Sequence, residues 1–166
     1  MTTQQINLRP VAIDNAAFAP FGQLISPGED GTPFSPADAQ LLLGEGKPRL
    51  YIMRLHERGL SFNRITRHSK VTQCLAAMGG KQWLIAVAPP IEASNPALMP
   101  DPAAIRAFRI PGDVAIKLHR GTWHAGPYFT EPTIDFLNLE LSDTNETDHL
   151  NCHLERDFGI RFTFEA

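Results

Sequence analysis

The sequence predicts an all-β fold, an antiparallel sandwich or barrel, on three observations. Short runs rich in Val, Ile, Leu and Phe recur along the whole chain, Gly- and Pro-bearing turns separate them, and helical periodicity is almost absent. At 166 residues the chain reads as a single domain, 1–166, long enough to bury a core of its own.

Taken in order, residues 8–11 read as a first short strand and 23–25 as a second, with the turn-like DNAAFAPFG between them. Residues 26–36 are rich in Gly, Pro and acidic side chains and read as a mobile surface loop. Strands follow at 50–55, 61–68 and 71–78, the last two separated by Ser69-Lys70, and another at 81–88 after the flexible Gly79-Gly80. The proline-dense 88–102 is barred from a strand interior, because proline lacks the ladder donor. A single helical turn at 103–106 and a strand at 107–110 lead into PGDVAIKLHRGTWHAGP, residues 111–127, an alternating apolar run followed by a Gly-Thr turn. Residues 133–141, TIDFLNLEL, alternate most cleanly. Ile134, Phe136, Asn138 and Glu140 share one face, and Asp135, Leu137, Leu139 and Leu141 the other. Residues 142–153 read as polar turn and 158–164 as a last edge strand.

Charge and composition exclude several classes. A net charge of -3 and a pI near 6.0 leave no basic surface for tracking phosphates, so nucleic acid is not expected as a partner. The apolar run at 83–91 is broken by Pro89 and Pro90 and is too short to span a bilayer, so no membrane association is expected. The opening MTTQQINLRP lacks the features of a secretory signal, which predicts a cytoplasmic protein. Cys74 and Cys152 have neither disulfide-framework nor metal-knuckle spacing and read as reduced bystanders.

Candidate chemistry concentrates in 111–127, with Lys117, His119, Arg120, Trp123 and His124, and in the earlier Thr66-Arg67-His68. Imidazole suits nickel, zinc, copper or iron, and histidine also titrates near neutral pH. By residue type alone each histidine is a ligand, a base or a hydrogen-bonded structural side chain. Trp123 and Phe136 read as core.

Thr66-Arg67-His68, four residues, Gln73, six residues and Gly80 match the spacing of a first motif, H-x-H-x4-E-x6-G. His119 to His124 match the spacing of a second, P-x-G-x2-H. The pair resembles the two cupin motifs and implies a cupin-type double-sheet jelly-roll barrel with few short helices. Phe18-Ala19-Pro20-Phe21-Gly22, Arg67-His68 with Gln73, Gly121-Thr122-Trp123-His124 with Pro127, and Asp135-Phe136 together resemble the ureidoglycolate lyase family. That resemblance implies a homodimer of purine (allantoin) catabolism that splits ureidoglycolate into glyoxylate and urea. It also implies a divalent metal, nickel or else zinc.

The resemblance places His68, His124 and Gln73 as metal ligands, with His119 or Lys117 taking or relaying the proton. Arg54, Arg64 and Arg67 are candidates for the substrate carboxylate, and strand alternation forbids all three from facing inward together. Gln73 is alternatively a hydrogen-bond partner of the ureido group, whose donors and acceptor its amide complements. Asp135 either orients a histidine from behind or pairs with an arginine. Thr66 stands where the family commonly has Glu, and residues 75–78 depart from its usual run, which predicts a neutral, weakly held metal site. Two other readings are another metal-dependent cupin enzyme of a small acid, such as an isomerase or dioxygenase, and a non-enzymatic binding cupin.

Overall fold

In the computed structural model, which describes residues 2–165, strands dominate and helices are confined to single turns. The strands are β1 (Gln4–Leu8), β2 (Val11–Ala12), β3 (Gly22–Ile25), β4 (Pro48–His56), β5 (Ser61–Phe62), β6 (Arg64–Arg67) and β7 (Gln73–Ala77). They continue with β8 (Gly80–Ala88), β9 (Arg106–Gly112), β10 (Ala115–Leu118), β11 (Trp123–Tyr128), β12 (Thr133–Leu141), β13 (Leu150–His153) and β14 (Ile160–Phe164). Three short helices, α1 (Asn15–Phe18), α2 (Thr144–Thr147) and α3 (Leu154–Phe158), and a 3-10 turn at Pro102–Ala104 complete the described elements.

Two sheets face each other, in the manner of a jelly roll. One has the order β3-β10-β7-β12-β4 and the other β13-β6-β11-β8-β9-β2, while β1-β14-β5 form a smaller third sheet. The alternation of β12 sets the first sheet. Its whole length pairs antiparallel with β4, from Thr133 opposite His56 to Leu141 opposite Pro48, and its middle pairs with β7. Because side chains alternate across a strand, Ile134, Phe136, Asn138 and Glu140 all turn inward and are buried.

The interior has two apolar clusters. One gathers Phe18, Phe21, Trp83, Phe108, Ile116 and Phe136, with Trp83 edge-on to Phe136 at 5.2 Å. The other gathers Phe62, Ile65, Trp123, Phe162 and Phe164. Trp123 and Phe136 are thus core residues, as their type suggested, each fully buried.

Several local expectations are corrected. The expected strand at 8–11 is split in two around Arg9-Pro10, since proline has no N–H for a ladder; β1 then pairs parallel with β14 and β2 parallel with β9. The expected single strand at 61–68 breaks at Asn63, whose two flanking pieces join different sheets. Residues 142–153 are not merely turn: they hold α2 and the strand β13, which pairs with β6. The last strand is not an edge, because β14 lies between β1 and β5.

Candidate active site

The two facing sheets pack over the first apolar cluster and also enclose a cavity of about 390 Å³. Its walls come from both sides. The first sheet contributes Tyr51 and Met53 from β4, Gln73 and Leu75 from β7, and Asn138 and Glu140 from β12. The second contributes Arg64 and Thr66 from β6, His68 just beyond it, and His124 and Tyr128 from β11. Arg58, Asn145 and His149 line it from the connecting segments.

His68 and His124 meet because of register. In the β6–β11 pair His124 stands opposite Thr66, and His68 lies two residues further, a step that returns to the same face. The Gly121 N–H donates to the His68 carbonyl (2.6 Å) and the Thr122 hydroxyl to the Phe21 carbonyl (2.7 Å), which pins the turn before His124. Glycine is needed there: Gly121 has φ +81°, and a Cβ would sit 2.7 Å from the Cβ of Ala93. The imidazole rings of His68 and His124 lie 5.0 Å apart, and that of His149 lies 5.5 Å from His68.

Backbone carbonyls set the orientation of the first two rings. His68 Nδ1 is 2.5 Å from the Asp148 carbonyl and His124 Nδ1 is 3.2 Å from the Thr122 carbonyl. A carbonyl only accepts, so each Nδ1 carries a proton and donates, leaving Nε2 as the atom available for a cavity ligand. Burial, then the charge of His68, drives the His124 pKa down to about 3, so this ring is neutral at physiological pH. Asp148 braces the same corner, its carboxylate accepting from the Ser69 and Lys70 N–H groups at 2.7 and 2.8 Å. His149 stands exposed at the mouth, its pKa lowered by partial desolvation and then by the charges of His68 and Arg64.

The opposite wall is a polar network. Gln73 Nε2 donates to Glu140 Oε2 (3.0 Å) and to Asn138 Oδ1 (3.2 Å), Tyr51 Oη donates to Glu140 Oε1 (3.1 Å), and Asn138 Nδ2 donates to Tyr51 Oη (3.1 Å). Gln73 Oε1 is buried and has no partner among the described residues.

Of the residues singled out from the sequence, His68, His124, Gln73, Arg64 and Thr66 come together around this cavity. The others do not. Arg54 projects from the outer face of β4 and grips Asp135 through two hydrogen bonds of 2.8 and 3.0 Å, so Asp135 pairs with an arginine and backs no histidine. Arg67 is fully buried elsewhere, stacked over Trp123 and donating to the carbonyls of Ile91 and Asn95, which ties down the proline-rich segment.

Lys117 and His119 are also removed from the cavity. Strand parity is the reason: Ile116 and Leu118 take the inward positions of β10, so Lys117 pairs beside Cys74 on the outer side of the sheet. There Lys117 Nζ donates to the Gln40 carbonyl (3.3 Å) and to His119 Nδ1 (3.0 Å), while His119 Nε2 meets the Ala19 carbonyl (3.0 Å). Burial lowers both pKa values. Cys74 and Cys152 are unpaired thiols, each pushed up to about 11, chiefly by burial.

Sequence reasoning missed Arg58, Tyr51, Glu140 and His149. For Glu140 a signal existed. Two polar residues, Asn138 and Glu140, continue the inward apolar face of β12, a placement that is costly unless they serve something polar inside. Arg58, whose guanidinium lies over the Tyr128 ring at 4.4 Å and donates to the Pro127 carbonyl, sits in a loop without periodicity to betray it.

A half-open polar cavity between two β-sheets, with paired imidazoles on one wall and guanidinium groups at its side, defines a small-molecule site. The family model for ureidoglycolate lyase matches residues 5–160. The chain is 30% identical over 148 residues to a ureidoglycolate lyase of Pseudomonas entomophila, covering 82% of this chain and 83% of that protein. It is 27% identical over 159 residues to a ureidoglycolate lyase of Azotobacter vinelandii, covering 89% of each. A solved dTDP sugar isomerase from Desulfovibrio desulfuricans aligns over 83% of this chain and 84% of that one, at 13% identity and a TM-score of 0.45, a likeness too loose to build on. The chain belongs to the ureidoglycolate lyase family and is a lyase.

Proposed function

We propose that this protein cleaves ureidoglycolate into glyoxylate and urea, and that it does so in the cavity between the sheets. The observation that carries the reading is the gathering, in one cavity, of cationic, imidazole and amide groups that match the substrate's three ends. Arg58 and Arg64 offer guanidinium groups to the carboxylate, which they suit by charge and planarity. Gln73 faces the ureido end. At the mouth, His149 is neutral at physiological pH and takes the hydroxyl proton.

The bond change then balances without water as a nucleophile. Loss of the hydroxyl proton lets the oxygen form the aldehyde C=O as the C–N bond breaks, and the leaving nitrogen recovers a proton from His149 to give urea. This role for His149 replaces the one the sequence suggested for His119 and Lys117, which are outside the cavity.

A divalent metal, nickel or zinc, fits the Nε2 atoms of His68 and His124, imidazole donors of the type such ions prefer. With two imidazoles as its protein ligands the site would hold the ion weakly. When bound, the ion would polarise the substrate's hydroxyl and ease its deprotonation. Gln73 Oε1, a neutral amide oxygen, is the poorest of the three candidate ligands, and we assign it to the substrate instead.

A homodimer is supported by the outer face of the β4–β12 sheet, where Leu50, Ile52 and Leu137 are exposed beside an apolar hollow of about 260 Å³. A cytoplasmic setting is supported by the two free thiols.

The deciding experiment offers ureidoglycolate to the purified protein and measures glyoxylate and urea together against a no-enzyme blank. Both products should form in equal amounts above the blank. Ammonia in place of urea would mean hydrolysis of the ureido group, and activity equal to the blank would leave only a binding protein.

A further inference from the structure

The polar wall of the cavity is a chain of hydrogen bonds whose direction can be read from one end to the other. Glu140 is almost fully buried, and its carboxylate accepts from Tyr51 Oη, from Gln73 Nε2 and from Asn145 Nδ2 (3.4 Å). Because Tyr51 spends its proton on Glu140, its oxygen is left to accept, and it does so from Asn138 Nδ2. Asn138 therefore turns its Oδ1 toward Gln73, and Gln73 answers with Nε2. The planar amide has only one other branch. Gln73, 7% exposed and lining the cavity, is left with an Oε1 that nothing among the described residues satisfies. Flipping this amide would bring Oε1 against two acceptors, Glu140 Oε2 and Asn138 Oδ1. A buried acceptor without a partner is costly, which marks it as waiting for a donor.

We propose that Glu140 is a positioning residue that sets the hydrogen-bond polarity of this wall, holding Gln73 Oε1 as an acceptor for the terminal NH2 of a ureido group. This deepens the proposed function and rests on it for the identity of the ligand. Glu140 spends both carboxylate oxygens on neighbours in the wall, Oε1 on Tyr51 and Asn145 and Oε2 on Gln73. It acts through Tyr51, Asn138 and Gln73, and its consequence is selectivity: a ligand with N–H donors at that end satisfies the wall, and an isostere without them leaves the acceptor stranded. Tyr51 keeps its proton for this purpose, since burial, and after it the charge of Glu140, raises its pKa.

The test uses two stable probes that share a carboxylate and one amide N–H. N-carbamoylglycine ends in NH2, and N-acetylglycine ends in a methyl group of similar size. Calorimetric titration of the wild-type protein should show a preference for N-carbamoylglycine of about tenfold, the scale of one hydrogen bond to a buried acceptor. In Glu140→Gln, whose new amide can donate, that preference should collapse toward unity while N-acetylglycine affinity stays within about twofold. A preference retained in Glu140→Gln, or an equal fall for both probes, would overturn the assignment. Where Glu140→Gln fails to fold, Gln73→Met must abolish the same preference, and its survival there is equally fatal. The lyase reading is judged separately: wild-type protein that keeps the preference but releases no glyoxylate sinks the reaction alone, and protein that cleaves ureidoglycolate without the preference sinks the positioning role alone.

Discussion

Acid should destabilise this protein through His124, and the size of the effect follows from its burial. The ring is neutral in the folded protein down to about pH 3, because a charge there would be desolvated and would face His68. In the unfolded chain the same ring takes up a proton near its ordinary value of about 6.5. Between those two values the unfolded state binds more protons, so stability is complete above about pH 6.5 and is lost as pH falls toward 3. At about pH 4.5 the gap from the unfolded value is about two pH units, or about 3 kcal/mol.

The assay is urea unfolding at about pH 7 and about pH 4.5, with a chelator present so that no metal competes for the ring. Wild type is compared with His124→Gln, which folds a neutral side chain into the same place and cannot titrate. The remaining histidines and carboxylates are common to both proteins and cancel in the difference. Wild type should lose about 3 kcal/mol more than the variant over this range, a midpoint difference on the order of 1 M urea or more. Equal losses in the two proteins would show that His124 is not held neutral by its surroundings, and the reasoning from burial would fail.

His149→Ala should lower kcat by about a hundredfold, the usual scale for one acid–base group. The acid limb of the wild-type kcat/KM profile should lie below about pH 6.5, because the base has a lowered pKa and stays deprotonated to lower pH; a limb above that value would count against His149. Lys117→Met should leave kcat/KM within about threefold of wild type, the same assay showing a hundredfold loss if the lysine relayed protons. Nickel titrated calorimetrically into chelator-treated protein should bind weakly, and a full equivalent that resists the chelator would contradict a site built on two imidazoles. Phe136→Ala should cost about 3–5 kcal/mol in urea unfolding, since the ring is fully buried against Trp83 and Phe129.

The sequence by itself determined the all-β class and the faces of β12, because a period-two pattern is a local property that survives wherever the strand is placed. Through the resemblance to the two cupin motifs it also anticipated the meeting of His68 with His124, which the β6–β11 pairing brings about. Tertiary structure decided which charged groups serve the cavity. Arg54, Arg67, Lys117 and His119 look as reactive on paper as Arg58, Arg64 and His149, but strand parity and the path of the loops carry the first four away from the space between the sheets. The polarity of the Glu140–Tyr51–Asn138–Gln73 wall belongs to the structure alone. Each of its bonds joins different strands, and the direction of a hydrogen bond depends on what the donor's other neighbours have already accepted, which no stretch of sequence records.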